Sequence, residues 1–277
     1  EAMTQEPSYR IGFDVGGTFT DFTVYDPVKR DLVHFKVPST PHDPSEAIEN
    51  GLRQILETMK IVPAEIGFIG HGTTVATNMV IERRGVCTGL LTTKGTRDVI
   101  EIGRQLRPHL YDYSVIKPAP LIPRERRFEV TERLDANGDV VTPLDRNSLM
   151  AAIDGLRAAK VEAVAICFLH SYKTPEHERI AASAVREAMP DAFVSVSSEV
   201  LPEFREYERL STTAINAYVG PRMSGYLDRF TERLKGLGID VEPVTVHSNG
   251  GCGPAFPVRR PVSWERACLA ATSGWKT

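Results

Sequence analysis

Ile11–Asp21, reading IGFDVGGTFTD, is the stretch on which the fold turns. Tyr9–Val15 has the alternation of a strand, Gly16-Gly17 supplies a turn, and Phe19–Tyr25 alternates again. Glycines at such a turn let the main chain come close to phosphate oxygens, and successive N–H groups there form an anion nest. Thr18 and Thr20 add hydroxyl donors. Asp14 and Asp21 would repel phosphate unless a cation lay between them, which suits Mg²⁺, a hard ion that keeps waters and bridges carboxylate to phosphate. The stretch is neither a P-loop nor a dinucleotide fingerprint, because GxxxxGK[ST] is missing and a strand, not a helix, follows the glycines. A bare Gly-Gly is usually just a hairpin turn. The flanking acids and threonines move the reading to phosphate binding.

Outward from the hairpin, Leu32–Val37 predicts a third strand of an antiparallel meander, and Asp43-Pro44 predicts the cap and first turn of a helix with the stripe Ile48, Leu52, Ile55, Leu56 and Met59. A strand is expected over Ile66–Ile69, a helix over Val75–Arg84 ended by Gly85, and a strand over Val86–Leu91. Prolines predict an irregular excursion from Arg104 to Arg127. Phe128–Leu134 and Val140-Val141 read as a hairpin about a two-residue Asn137-Gly138 turn. The pattern then alternates: helix Asp145–Lys160, buried strand Val161–Leu169, helix Pro175–Met189, strand Phe193–Val196. A long helix follows from Glu206 to Leu234, with a kink or break at Gly220-Pro221, and Pro243–Val246 is a last strand. Strands alternating with helices define an α/β chain.

The 277 residues suffice for one large domain or two ordinary ones, and 42% hydrophobic with 25% charged residues is a globular mixture. A formal charge of −3 offers no basic footprint for nucleic acid or an anionic membrane. The longest apolar run, Ala163–Leu169, is too short to span a bilayer. No leader pattern opens the chain, and Cys87, Cys167, Cys252 and Cys268 lack CxxC spacing, so reduced thiols in a cytoplasmic protein are expected. Residues 1–8 read as a tag or disordered start.

Five stretches carry a resemblance: FDVGGTFTD (Phe13–Asp21), GHGTTVATN (Gly70–Asn78), TTKGTRDVIEIGRQ (Thr92–Gln105), SSEVLPEFREYERLSTTAINAYV (Ser197–Val219) and HSNGG (His247–Gly251). Together and in this order they resemble the N-terminal portion of the hydantoinase A / 5-oxoprolinase family; Thr96 departs from its usual Phe. The resemblance implies an actin-like (ribonuclease H-like) ATPase fold, with residues 9–197 as the family's N-terminal α/β region and 198–251 as the start of the hydantoinase A domain. It implies ATP-dependent opening of a small cyclic amide or imide, such as hydantoin or 5-oxoproline, through carbonyl phosphorylation, with a B-type hydantoinase subunit as partner. The sibling alternative is the ATP-binding subunit of an acetone- or acetophenone-type carboxylase; a non-catalytic fragment is the alternative from another class. By resemblance, Asp14 holds hydrated Mg²⁺, Asp21 supports it, and Gly16, Gly17, Thr18 and Thr20 meet the ATP phosphates.

His71, Gly72, Thr73 and Thr74 lie between a strand end and a helix start, where anions collect, and are expected to touch phosphate or substrate; the competing reading has Thr73 capping the helix while His71 packs. Asn249 and Gly250 close a strand and are expected at the nucleotide. The charged sets Arg97, Asp98, Glu101, Arg104 and Glu203, Arg205, Glu206, Glu208, Arg209 read either as ion-paired solvated faces or as approaches to the cleft, with Glu206 and Arg209 paired at i, i+3. Scattered histidines give no metal-ligand spacing. Residues 252–277 depart from the family, which continues with a second Asp-Gly-Gly-Thr hairpin; they read either as an atypical but genuine ending or as a reading-frame change after Gly251, and a fold lacking the second phosphate-binding lobe and an inactive isolated chain are expected.

Overall fold

The computed structural model describes residues 8–40, 42–105, 114, 118–246 and 252–254. Two compact units result, one formed by Glu1–Glu82 with Arg222–Thr277 and the other by Arg83–Pro221. In chain order the first unit holds β1 (Tyr9–Val15), β2 (Phe19–Asp26), β3 (Asp31–Pro38), α1 (Pro44–Met59), β4 (Ile66–Thr73) and α2 (Val75–Ile81). The second holds β5 (Thr88–Thr93), α3 (Val99–Ile102), β6 (Arg127–Val130), β7 (Arg133–Leu134), β8 (Val140–Thr142), α4 (Arg146–Ala158), β9 (Ala163–Cys167), α5 (Glu176–Ala188), β10 (Phe193–Val196) and α6 (Ser197–Val200). Helix α7 (Glu206–Gly236) begins in the second unit and ends in the first, which β11 (Val244–Val246) and β12 (Cys252–Pro254) complete.

The first unit is a six-stranded mixed sheet in the order β12-β11-β4-β1-β2-β3. The meander β1-β2-β3 is antiparallel, as its tight turns require, whereas β4 joins β1 in parallel after the α1 crossover, and β11 joins β4 in parallel. Ile11, Phe13 and Val15 alternate inward with Phe22, Val24 and Thr20 of β2. Ile48, Leu52 and Ile55 of α1 are buried, and α1 lies against β2 and β3. Asp43 caps α1 by accepting the Ser45 N–H at 3.2 Å, as its sequence position predicts.

The second unit has a four-stranded parallel sheet, β10-β9-β5-β6, covered on both faces. Val164, Ile166 and Phe168 pack with Leu149, Ile153, Leu156 and Val185 of α4 and α5. The alternate residues Ala163, Ala165 and Cys167 meet Leu210, Ala214 and Ala217 of α7. This double burial explains the unbroken apolar run that the sequence shows.

Several expected boundaries move. Helix α2 ends at Ile81, not Arg84, because Arg83 takes a left-handed conformation (φ 58°) that ends the helix before Gly85 is reached. Phe128 belongs to β6, which pairs in parallel with β5, so the local hairpin consists of β7 and β8 alone. Its turn is wider than two residues: the Asp135 carboxylate accepts the N–H groups of Asn137, Gly138 and Asp139, all at 2.9 Å, with Gly138 at φ 96°. No break occurs at Gly220-Pro221, since α7 is assigned as helix through both residues. Cys87 and Cys167 are free thiols. The expectations for residues 1–7 and for 255–277 lie outside the described residues. No described helix is long and apolar enough to cross a membrane.

Candidate functional site

Register builds the site in the first unit. Asp14 stands opposite Asp21 across β1 and β2, opposite Gly72 across β1 and β4, and Asp21 stands opposite Lys36 of β3. Directly opposed residues share a face, so the row Gly72–Asp14–Asp21–Lys36 lies on the side of the sheet away from the buried Phe13, Phe22 and His71. Asp14 and Asp21 are both exposed. Two carboxylates facing each other across a ladder repel; Lys36 offsets this in part, with its Nζ 2.9 Å from Asp21. Gly72 makes room for the other acid, because a Cβ there would lie 3.2 Å from Asp14 Oδ1.

The turn itself is tightly closed. Gly16 N–H donates to the Phe19 carbonyl at 3.1 Å, and a Cβ on Gly16 would approach that same oxygen to 2.8 Å, so a side chain there must open the turn. A Cβ on Gly17 would meet nothing within 4 Å, leaving the outer surface of the turn open to an approaching ligand. Thr18 is exposed beside it. Thr20 departs from expectation. It is fully buried, and since Ser39 gives its hydroxyl proton to the Gly16 carbonyl (2.8 Å), Thr20 donates to Ser39 Oγ at 3.0 Å. Ser39 N–H also donates to the Thr18 carbonyl at 2.9 Å. Thr20 therefore braces the turn through Ser39 and turns no hydroxyl outward.

His71 likewise belongs to the core. It is fully buried among Phe13, Tyr226 and Phe230, with ring centroids 5.3–5.6 Å away, and its Nε2 shares a 2.7 Å hydrogen bond with the Tyr226 hydroxyl. Burial pushes its pKa down to about 3 and holds it neutral. A direct phosphate contact by His71 is thus corrected to a packing role, because β4 turns odd-numbered His71 inward and Gly72 outward. Thr73 Oγ1 accepts the Val75 N–H (3.1 Å) at the start of α2, and the Thr74 hydroxyl donates to the Val15 carbonyl (3.3 Å), tying that helix start to the strand end beside Gly16. Asn249 and Gly250 lie outside the described residues.

Sequence reasoning missed Lys36, Ser39 and Tyr226. Lys36 was accessible in principle from the β2–β3 register; Ser39 and Tyr226 act over 19 and 155 residues of sequence, for which no local spacing exists.

Some members of the charged sets of the second unit form ion pairs. Arg124 pairs with Asp98 at 3.0 Å and pulls its carboxyl below the usual range, Arg127 meets Asp98 (3.4 Å) and Glu101 (2.7 Å), and Arg104 donates to Glu208 at 2.8 Å. Arg209 is buried instead: it is 1% exposed, and among the described residues it forms no ion pair with Glu206. Its guanidinium donates to the Glu203 and Phe168 carbonyls at 3.0 and 2.7 Å.

A model of the hydantoinase/oxoprolinase N-terminal region matches residues 10–189. The chain belongs to the hydantoinase/oxoprolinase family. The caprolactamase subunit alpha of Pseudomonas jessenii is 43% identical over 272 residues, covering 96% of this chain and 38% of the relative. The crystal structure of the ATP-dependent caprolactamase from the same organism superposes with a TM-score of 0.83 at 39% identity, covering 96% of this chain and 40% of that one. The nucleotide-free structure of an acetone carboxylase gives 0.84 at 26% identity, covering 95% and 39%. The 5-oxoprolinase 1 of Arabidopsis thaliana is 33% identical, covering 90% of this chain and 22% of that protein. The chain thus spans about two-fifths or less of these relatives' lengths.

Proposed function

We propose that this member of the hydantoinase/oxoprolinase family contributes an ATP-phosphate site to an enzyme that opens small cyclic amides or imides. The observation that carries the proposal is the opposed Asp14–Asp21 pair on the open face, one residue from a turn whose Gly17 surface is free. Support comes from relatives that are an ATP-dependent caprolactamase and a 5-oxoprolinase, both acting on cyclic amides by name. The antiparallel meander followed by parallel β4 and β11 is also the arrangement expected of an actin-like ATPase half.

Mg²⁺ fits the donor set. It is bound through one or two carboxylates, with water and phosphate oxygens completing its shell, and Asp14 with Asp21 supplies that number. In this reading Asp14 holds the hydrated ion, Asp21 supports it, and the main chain of Gly16, Gly17 and Thr18 faces the phosphates. Thr20 acts through Ser39 on the shape of the turn. The ion neutralises charge on the transferring phosphoryl group when bound. The ring carbonyl oxygen attacks the γ-phosphorus and ADP leaves; one water adds to the activated carbon and the C–N bond breaks, the nitrogen leaving as a protonated amine, and a second water cleaves the resulting acyl phosphate to carboxylate and inorganic phosphate. Such a transfer demands positioning and charge neutralisation more than covalent help from the protein. A second subunit of the hydantoinase B type would complete the enzyme, in keeping with a relative that is itself named as a subunit.

The carboxylase reading is favoured by the acetone carboxylase superposition. Measuring ADP release by the full-length protein with its partner subunit separates the two. Turnover with lactams, hydantoins or 5-oxoproline supports ring opening, and turnover only with a ketone plus bicarbonate overturns it.

A further inference from the structure

Lys36 of β3 stands opposite Asp21 in the β2–β3 ladder, and its Nζ lies 2.9 Å from that carboxylate. A lysine carries its ammonium on a long flexible stem, so the strand alone does not fix where the charge goes. A second contact does. The same Nζ sits over the Phe19 ring, 5.1 Å from its centroid. Phe19 precedes Asp21 on the turn side of β2, and its carbonyl closes the turn by accepting the Gly16 N–H. An ammonium that touches both Asp21 and Phe19 is therefore held on the open face and drawn toward Gly17 and Thr18. Phe19 is itself exposed, so this corner of the face is open to a ligand.

The charges along the row decide what this lysine can do. Two carboxylates, Asp14 and Asp21, stand against one ammonium, so the row stays net negative and repels a polyphosphate. A divalent cation on Asp14 and Asp21 reverses that sign, and it also repels the ammonium already resting on Asp21. The Lys36–Asp21 bond is easily given up, because both side chains are more than half exposed and an exposed ion pair adds little net stability. Asp21 is the only polar partner of Nζ among the described residues, so the ammonium has donors to spare for oxygens outside the chain.

We propose that Lys36 is an exchangeable counter-ion of the phosphate site: it neutralises Asp21 while the site is empty, and turns to a phosphate oxygen of the nucleotide once a divalent cation replaces it on Asp21. This deepens the ATP-phosphate reading of the hairpin and rests on it. One substitution then has effects of opposite sign. In the full-length protein, Lys36→Met should weaken MgATP binding about tenfold or more in isothermal titration, because a charge-assisted bond to phosphate is lost. The same variant should bind Mn²⁺ alone about twofold to fivefold more tightly, read by electron paramagnetic resonance, because no tethered cation competes for Asp21. Mn²⁺ is the probe because it shares the oxygen preference of Mg²⁺. Lys36→Arg keeps the cation and should recover most of the MgATP affinity. Arg10→Met removes an exposed charge from the same side of β1, farther from the turn, and should move neither affinity. A lysine that only stabilised β3 would lower both affinities together or leave both unchanged, and either result in Lys36→Met overturns the proposal. Shifts of the same size in Arg10→Met overturn it too, since they would reflect a general field. Absence of MgATP binding to the unaltered full-length protein would remove the hairpin reading itself, and this inference with it.

Discussion

At the scale of single residues, His71 and Glu178 show how burial sets what a polar group can do. His71 is neutral in the folded chain, with its pKa down at about 3, but has an ordinary value near 6.5 when unfolded. Below pH 6.5 the unfolded chain binds a proton that the folded chain refuses, so stability falls as pH falls and is free of this penalty above it. The slope approaches about 1.4 kcal/mol per pH unit between pH 6 and 4. Replacing His71 by Phe is expected to flatten that slope in chemical denaturation measured across this range, and to leave nucleotide binding unchanged; a loss of nucleotide binding in a folded variant would return His71 to the site. Glu178 is fully buried and accepts from the Phe168 N–H, the Ser197 hydroxyl and the Ser198 N–H. Glu178→Leu leaves three donors unpaired and should cost about 3 kcal/mol or more, read as a drop in denaturant midpoint, with Glu178→Gln milder because it keeps an acceptor.

At the scale of elements, α1 is held to the end of α7 by charge as well as by its apolar stripe. Arg233 meets Asp43 at 2.9 Å and also reaches Glu49 and Ser45, and Arg229 lies 3.3 Å from Asp43. Both carboxyls sit below their usual range. For Glu49 the Arg233 hydrogen bond is the main cause; for Asp43 burial pushes upward, but Ser45, Arg233 and Arg229 outweigh it. Depressed carboxyl pKa values add stability above the unfolded values near 4, and that stability is lost as pH falls through the folded ones. Arg233→Met should therefore destabilise the fold at pH 7 and steadily less as the pH drops below about 4, as thermal midpoints would show. These elements also show what the sequence makes legible. The strands β1, β2 and β3, the Asp43 cap and the α1 stripe were readable because period and turn chemistry are local. Which of the two readings of its charged set applies to Arg209 was not legible, since its neighbours in sequence are charged while its neighbours in space, Phe168 and Tyr172, are some forty residues away. His71 was misplaced for a related reason: β4 runs four residues beyond Ile69, and only that extension, in register with β1, decides which side of the sheet His71 faces.

At the scale of the whole molecule, the 277 residues contain the Gly-Gly-Thr sequence once, whereas the actin-like clamp we propose would close on ATP with two such hairpins. These residues alone are expected to bind MgATP weakly; micromolar affinity in calorimetry would contradict the two-sided clamp. The candidate site was legible as a motif, whereas the face it presents was not, since only strand register shows that Asp14 and Asp21 share the open side with Gly72 while Thr20 turns inward. The most direct test is an isothermal titration of ATP into the full-length protein, with and without Mg²⁺, comparing the unaltered hairpin with Asp14→Asn. Magnesium-dependent binding that weakens at least about tenfold in Asp14→Asn, some 1.4 kcal/mol, is the predicted result. Equal affinity in both proteins, or binding indifferent to Mg²⁺, would contradict it.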